Sequence, residues 1–405
     1  MQNGKKQNML FASVVFDKNT NTAWAIGIER NGLFKLSLES GEYKLLTCFA
    51  DDYFKYAIND KCYKYKNNIF CFPCKGDIIW VYNLQSRELD KIQVEHNKDA
   101  EPTITMIVEE SGTLFAVANG LNKILEIDPE RKKIVNSYKI LQDEKEVYSS
   151  ITGVVVEKKL YFITVDNNSV CEFDLVTKEI CFYSVVNDNI KLNTICYDGN
   201  YFWLSGRKKE IFRWDKDTGE ICVISDFPVS FGKYEINETD NFHICYQKEY
   251  NSQIFRSCMF VGGTLWFIPH ETNQIIYVDK DSCTIDSFLI EEEEEDKFTW
   301  QRGRTKYRLE CIYKDRYILL FSYKNNRYLK IDTVLFTYEY MDVWRSKEEN
   351  SLLADQLFRG YDIVSEDERD ILLTDMIKGS FSINKRETYG NVGKEIYQFI
   401  LQSNK

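Results

Sequence analysis

A histidine beside a carboxylic acid is the first candidate for chemistry in this chain. The 405 residues include three histidines, and His270 stands between Pro269 and Glu271. Histidine titrates near neutral pH, so such a residue could act as a general acid and base. The other two histidines, His96 and His243, belong to different segments. We interpret His270 as a residue of a surface turn and keep a catalytic role as the alternative.

Three arginines offer a second kind of chemistry, the binding of an anion. Arg256 and Arg308 take nearly equivalent places in two successive repeats of the sequence, and Arg207 belongs to the basic segment "GRKKE" at 206–210. A guanidinium can donate two parallel hydrogen bonds to a carboxylate or phosphate. We predict that these arginines, with His270 and Glu271, line one rim that could bind an anionic group. Scattered exposed cations are the alternative interpretation.

The pattern of cysteines indicates buried structural residues and not a redox or zinc site. Among twelve cysteines, Cys71 and Cys74 in "CFPC" have the spacing of a redox motif or of half a zinc site. A redox motif should open a helix, whereas this pair stands in a strand-like apolar run, and zinc would need a second pair. We interpret both as buried structural residues. Nucleophile motifs, phosphate-binding glycine loops and metal-binding runs do not occur in the sequence, so we expect no cofactor and no metal.

Composition narrows the classes of partner. The chain carries 63 acidic and 52 basic side chains, a net charge of −11, which repels nucleic acids and anionic membranes. The amino-terminal segment has no apolar signal region, and no stretch approaches the roughly 18 apolar residues of a membrane span. We therefore expect a soluble cytoplasmic protein with no nucleic-acid partner and no membrane partner.

The candidate residues must be positioned by secondary structure, and a repeat in the sequence predicts which strands and turns do this. Seven units begin at apolar residues, namely Ala23, Ile69, Leu114, Leu160, Tyr201, Leu265 and Ile318. The next residue is aromatic in six of the seven units: Trp24, Phe70, Phe115, Tyr161, Phe202 and Trp266, with Leu319 in the last. Eight places after the start come Asn31, Asp77, Asn122, Asn168, Lys209, Asn273 and Asn326. Fourteen places after it come Ser37, Asn83, Asp128, Asp174, Asp215, Asp279 and Asp332.

The chemistry of each unit predicts two strands joined by a hairpin. Asparagine tolerates positive φ and suits the hairpin loop, while the later aspartate can accept backbone N–H bonds in the following turn. Further apolar runs precede and follow each hairpin, as in "RSCMFV" at 256–261, so each unit has four strands. The unit starts are 46, 45, 46, 41, 64 and 53 residues apart. These lengths predict an all-β, seven-bladed β-propeller over residues 1–343.

Segments such as "GNYFWLSG" (199–206) and "GGTLWFIPHETNQIIYVD" (262–279) resemble blades of NHL-type and virginiamycin B lyase-like propellers. The resemblance covers roughly residues 10–343 and implies the propeller fold. Such blades serve many unrelated functions. The repeated signatures of WD-repeat and kelch blades are absent from the sequence, which disfavours those two subfamilies.

One position in the repeat is small or proline in every unit, four places after the start: Gly27, Pro73, Ala118, Thr164, Ser205, Pro269 and Ser322. It precedes the hairpin that joins the second and third strands, on the face where propellers usually bind ligands. Small residues there could let a partner approach. Crowding of strand ends is the alternative explanation.

The segments beyond the regular blades suggest interactions. Two insertions lengthen the connections around the sixth blade, one at 226–252 and one with the acidic run "EEEEEDK" at 291–297. Residues 344–405 read as a helical tail, since Ser365 and Glu368 form a capping pattern and Gly379 a stop.

Two functions remain open at this stage. We favour a non-enzymatic scaffold that binds a protein, peptide or glycan-bearing partner through one propeller face and the tail. The alternative is a propeller-type lyase or hydrolase for a small molecule, in which His270 would be catalytic.

Overall fold

The described part of the chain is a seven-bladed all-β propeller. The computed structural model describes residues 11–17, 20–27, 31–49, 59–74, 76–96, 102–142, 149–164, 168–186, 190–232, 254–270, 272–291, 306–322 and 327–345. These residues form seven sheets, each with four antiparallel strands in chain order, which we call blades one to seven. The fold predicted from the repeat is thereby confirmed.

The strands of each blade follow one another along the chain. Blades one and two contain β1 (Phe11–Phe16), β2 (Thr22–Gly27), β3 (Gly32–Ser37), β4 (Glu42–Cys48), β5 (Asn59–Tyr65), β6 (Asn68–Pro73), β7 (Ile78–Asn83) and β8 (Leu89–Gln93). Blades three and four contain β9 (Thr103–Glu110), β10 (Thr113–Asn119), β11 (Lys123–Asp128), β12 (Lys133–Lys139), β13 (Ser149–Val156), β14 (Lys159–Thr164), β15 (Ser169–Asp174) and β16 (Ile180–Tyr183). Blades five and six contain β17 (Leu192–Tyr197), β18 (Phe202–Gly206), β19 (Ile211–Trp214), β20 (Ile221–Ile224), β21 (Phe255–Val261), β22 (Thr264–Pro269), β23 (Gln274–Val278) and β24 (Ile285–Leu289). Blade seven contains β25 (Tyr307–Tyr313), β26 (Tyr317–Ser322), β27 (Arg327–Asp332) and β28 (Thr337–Met341), and β29 (Trp344–Arg345) follows it.

The second strands form the buried middle of the blades. Each is buried along nearly its whole length, and the aromatic or leucine residue near its start is at most 7% exposed. A strand covered on both faces reads as a continuous apolar run, which is why these segments lack an alternating pattern. Seven buried apolar clusters lie one at each junction between neighbouring blades. The propeller is therefore held together by blade-to-blade packing around the ring.

The aspartates of the repeat cap the turns after the third strands, as predicted. Asp174 Oδ1 accepts the backbone N–H groups of Val176 and Thr177, both at 2.8 Å. Asn83 and the aspartates at the same place in blades three, five, six and seven accept two backbone N–H groups in the same way. Hydrogen bonds to the backbone of Thr177 and Val176 lower the pKa of Asp174. These carboxylates stabilise turns and have a structural role.

The asparagines of the repeat do more than turn the chain. Asn122 and Asn168 have positive φ, 53° and 51°, as predicted for the hairpin loop. The side chain of Asn122 also bonds both backbone groups of Leu141, donating to its carbonyl at 2.6 Å and accepting its N–H at 2.7 Å. Asn273 likewise donates to the carbonyl of Ile290 at 2.8 Å. The asparagine thus fixes the hairpin to the segment that leaves the fourth strand.

The two ends of the ring meet between blades seven and one. Phe11 donates its backbone N–H to the Tyr328 hydroxyl at 3.1 Å, and both residues belong to one buried cluster. Beyond its own four strands, blade one gains β29, which pairs parallel with β4. The sequence assigned Trp344 and Arg345 to the helical tail, but they are a strand of blade one. The rest of the predicted tail, 346–405, lies outside the described residues.

A glycine makes the contact with β29 possible. Gly41 has φ +76°, and a Cβ there would lie 2.2 Å from the Asp342 carbonyl oxygen and 2.7 Å from the Trp344 ring. The Gly41 carbonyl accepts the Trp344 N–H at 2.9 Å. A side chain at this position cannot coexist with β29 in its present place.

The cysteine pair is buried, in accord with the structural interpretation. Cys71 lies in β6 with no exposed surface, Cys74 is 6% exposed, and burial raises the pKa of the Cys71 thiol well above its usual range. In the described ranges no cluster of three or more metal-binding side chains occurs. No helix in that part of the chain is long and apolar enough to cross a membrane.

Candidate recognition face

The candidate site residues that the structure describes lie at one end of the strands. Because neighbouring strands are antiparallel, first strands begin where second strands end, and the links between blades meet the second-to-third hairpins there. Arg207 directly follows β18, Arg256 is the second residue of β21, and His270 directly follows β22. The backbone of Arg308 takes the second place in β25. Glu271 and His243 lie outside the described residues. We call this end of the propeller the recognition face.

The first strands share a feature that the sequence did not reveal. In all seven blades the pairing of the first strand with the second shifts register near the start of the first strand. The extra residues are Ala12, Asp60, Thr105, 150–152, Asn193, Arg256 and 309–310. A β-bulge re-aims a side chain, and bulges are frequent next to functional sites. First strands of neighbouring blades contact one another from blade seven through blade one to blade six, and the ion pair of Arg256 with Glu310 joins blades six and seven, so these bulges form a ring on the recognition face.

Side chains at the bulges reach across to neighbouring first strands. Thr105 Oγ1 and Ser149 Oγ are 2.9 Å apart, which joins blades three and four. Thr152 Oγ1 accepts the backbone N–H of Ile195 at 3.1 Å, which joins blades four and five. Neutral hydroxyl groups therefore make the contacts at the bulges between blades three, four and five.

The contacts over blades five to seven have different chemistry. Asn193 Nδ2 donates to the Phe255 carbonyl at 2.5 Å, which joins blades five and six. Arg256 of blade six forms an ion pair through its Nε with the Glu310 carboxylate of blade seven. The Arg256 side chain is 21% exposed and that of Glu310 10%. An amide, a guanidinium and a carboxylate thus follow one another over blades five to seven.

The backbone of His270 forms hydrogen bonds at the starts of the first strands of both blade six and blade seven. Its N–H donates to the Ile254 carbonyl at 2.9 Å, just before β21 begins. Its carbonyl accepts the N–H of Lys306 at 2.6 Å, just before β25 begins. The residue is partly exposed. The structure therefore places His270 at the entrance of the two strands that carry Arg256 and Glu310.

Arg207 lies one blade away, against the entrance of β17. Its backbone N–H donates to the Lys191 carbonyl at 3.1 Å. A Cβ on the preceding residue, Gly206, would lie 2.3 Å from that carbonyl oxygen, so close approach of the two segments requires glycine. Arg207, Arg256 and His270 thus belong to blades five and six of the recognition face.

The small residues at the ends of the second strands are explained by crowding. Thr164 and Ser205 have no exposed surface, and Ser322 is 4% exposed. Ser205 Oγ lies 2.6 Å from Thr194 Oγ1 within blade five. These side chains pack inside the blades, so their small size reflects crowding of the strand ends.

Cys196 and Cys311, two thiols on the first strands, are not activated nucleophiles. Burial raises the pKa of Cys196 on β17 well above its usual range, and it does the same for Cys311 on β25. The thiolate is the reactive form of cysteine, so these buried thiols are inert at neutral pH. His270 supplies the described imidazole on this part of the face, and imidazole is the group most often used for proton transfer.

Sequence reasoning missed Asn193, Ser257 and Glu310. The repeat was counted from the second strands, and a bulge adds residues to the first strand, so equal spacing fails there. The recurrence of polar residues one to three places after the start of first strands is the signal that could have found them.

Comparison with known proteins supports the fold and no narrower assignment. No family model and no curated protein matches the chain. Virginiamycin B lyase from Staphylococcus aureus is similar in structure, with TM-score 0.55 and 16% identity over 80% of this chain and 94% of that chain. BamB from Moraxella catarrhalis has TM-score 0.50 and 10% identity, covering 77% and 82% of the two chains. A chain of a mitotic checkpoint complex has TM-score 0.53 and 11% identity, covering 85% and 95%. The lyase and BamB are seven-bladed propellers, and this chain shares that fold.

Proposed function

We propose that this protein is a recognition scaffold that binds a protein or peptide partner with the recognition face. The observation that carries the proposal is the ring of seven bulges, whose side chains change in chemistry from blade to blade. A ring built for packing alone would repeat similar residue types, as the turns after the third strands do with five aspartates, one asparagine and one serine. Unlike side chains around one opening suit the recognition of one asymmetric partner.

The polar contacts indicate where the partner binds. On blades three to five, the hydroxyl groups of Thr105 and Thr152 are used in contacts between blades. On blades five to seven, Arg256 and His270 are partly exposed. Charged hydrogen-bonding groups of this kind give specificity at interfaces. A similar propeller belongs to the mitotic checkpoint complex, which is an assembly of several chains.

The segment after Arg345 would supply a second contact. The sequence predicts amphipathic helices in 346–405, whose apolar faces must pack on the propeller or on another chain. We include this segment in the proposal as part of the partner-binding surface. A cytoplasmic location and the absence of a cofactor are further parts of the proposal.

Partner capture from native lysate tests the proposal. The intact chain is compared with the Arg256→Ala/His270→Ala variant, and bound proteins are identified by mass spectrometry. Arg131→Ala is the control, because Arg131 is an exposed arginine in a turn after the third strand of blade three, at the opposite end of the strands. The proposal predicts a partner that binds the intact chain and the control but not the first variant. Equal capture by all three proteins would contradict it.

A small-molecule lyase or hydrolase is the second candidate. One structure of virginiamycin B lyase, similar to this chain at TM-score 0.55 and 15% identity, is of a catalytically inactive histidine-to-alanine variant with quinupristin. This chain has His270 at the recognition face. Incubation with quinupristin, followed by mass spectrometry, tests this candidate. Turnover by the intact chain that His270→Ala abolishes would replace the scaffold proposal.

A further inference from the structure

The hydroxyl of Ser257 in blade six has no hydrogen-bond partner among the described residues, unlike the hydroxyls at the same position in blades five and one. In blade five, Thr194 stands opposite Ser205, and the two hydroxyl oxygens are 2.6 Å apart. In blade one, Ser13 holds the same register position and accepts the backbone N–H of Cys62 at 3.1 Å. In blade six the position belongs to Ser257, and Ile268 stands opposite. Ser257 is 3% exposed, and its Oγ forms no hydrogen bond with the described residues.

Asn193 leaves a second buried polar atom beside the same strand. Its Nδ2 donates to the carbonyl of Phe255, so the amide lies against the start of β21. Its Oδ1 accepts no hydrogen bond from any described residue, although Asn193 is 3% exposed. Buried polar groups are nearly always paired, so an orphan acceptor in a native protein calls for an explanation. Ser257 follows Arg256 in β21, and the Asn193 amide bonds the carbonyl of Phe255, which precedes Arg256, so the two unpaired atoms indicate a site for a ligand at Arg256.

Arg256 supplies the charge of this site. Glu310 pairs with its Nε, and no hydrogen bond joins its two terminal nitrogens to another residue of the described set. A guanidinium has five N–H donors, so the terminal pair remains able to bind two oxygens at once. The exposed fifth of the side chain gives a ligand access from the recognition face.

We propose that this site binds a carboxylate with a neighbouring N–H group, the arrangement at the carboxyl terminus of a peptide. The terminal nitrogens of Arg256 bind the two carboxylate oxygens, and the Ser257 hydroxyl donates to one of them. Asn193 Oδ1 accepts the N–H. A phosphate could donate to Asn193 Oδ1 only in its protonated form, whereas the amide N–H beside a peptide carboxylate is always a donor, which favours the carboxylate. This inference rests on the proposed function and specifies the part of the partner that is read.

Labelled peptide pools test the inference. Fluorescein-labelled hexapeptides of random sequence are prepared with a free carboxyl terminus and with a terminal carboxamide, and binding is followed by fluorescence anisotropy. The acid pool should bind the full-length chain at least about tenfold more tightly than the amide pool, since it alone engages the guanidinium. Equal binding of the two pools, or of neither, would overturn the inference.

Variants show whether the guanidinium fork is responsible. Arg256→Lys keeps a positive charge near Glu310 but loses the fork, and it should weaken binding of the acid pool about tenfold. Arg131→Lys, at an exposed turn of blade three, is the matched control and should bind as the intact chain does. Ser257→Ala removes an unpaired hydroxyl, so it should fold normally and still bind the acid pool several-fold more weakly. Unchanged affinity in both site variants would refute the assignment.

Two further comparisons distinguish a small acid from a peptide as the ligand, and failure of this inference from failure of the proposed function. N-acetylglycine carries the same two groups without a longer chain, and its competition against the acid pool shows whether a small acid suffices. If a lysate partner depends on Arg256 and His270 but the two peptide pools bind alike, the scaffold proposal stands and the carboxylate inference fails. If the acid pool binds selectively but no lysate partner depends on Arg256 and His270, the carboxylate inference stands and the scaffold proposal fails.

Discussion

The ion pair between Arg256 and Glu310 gives the sharpest test of the site. Glu310→Gln removes the carboxylate and leaves the guanidinium charge between blades six and seven without a counter-charge. Removal of one partner of a fully buried pair costs about 3–5 kcal/mol. The Arg256 side chain is 21% exposed and that of Glu310 10%, so water screens the remaining charge in part. We therefore expect the free energy of unfolding to fall by about 2–3 kcal/mol.

A double variant separates the stability of this pair from its role in binding. Arg256→Met/Glu310→Leu replaces both charges by apolar side chains, which is often close to neutral for a buried pair. Urea denaturation followed by tryptophan fluorescence should show a stability within about 1 kcal/mol of the intact chain. The acid peptide pool should no longer bind to it. If Glu310→Gln alters stability by less than about 0.5 kcal/mol, the pair is screened as on an open surface and our account of the site is wrong.

Three further predictions concern stability. Ser257→Ala should raise the free energy of unfolding by about 1 kcal/mol in urea denaturation, because it removes a buried hydroxyl without a partner; a loss of stability would show that the hydroxyl is satisfied. Gly41→Ala should lower stability by about 2–3 kcal/mol, from positive φ and the clash with β29, whereas Gly219→Ala, which has φ +75° and open space around it, should cost about 1 kcal/mol. Equal costs would refute the role of β29 in closure. Burial alone would raise the pKa of Glu172, but hydrogen bonds from Lys159 and other neighbours outweigh it and lower the pKa from 4.5 to about 2. The folded state thus favours the carboxylate, so this stabilisation, on the order of 3 kcal/mol, is complete above pH 4.5 and is lost as the pH falls towards 2. Glu172→Gln should flatten the stability profile in that window, and an unchanged profile would contradict the assignment.

The fold could be predicted because its signals are local and recur in every blade. Each aspartate such as Asp174 caps a turn within three residues of itself, so its place in the sequence is fixed by geometry that repeats. Each second strand is covered on both faces by neighbouring blades, which requires an apolar run with an aromatic near its start. Each of the seven blades therefore has a recognisable apolar run and turn residue at the same spacing in the sequence.

The recognition face could be located but not resolved from sequence. The order of antiparallel strands brings Arg207, Arg256 and His270 to one end, and that much follows from the repeat. The bulges lengthen the first strands by unequal numbers of residues. The contact between Arg256 and Glu310 therefore could not be predicted from residue spacing in the repeat. Trp344 joins blade one through backbone hydrogen bonds to Gly41, and a two-residue strand leaves no periodic pattern.

Amide hydrogen exchange of the full-length chain, with and without its captured partner, tests the central claim most directly. The account predicts slower exchange in the partner-bound state at the starts of β17, β21 and β25, where Asn193, Arg256 and Glu310 lie. Protection confined to the outer fourth strands or to the aspartate turns at the opposite end would contradict it.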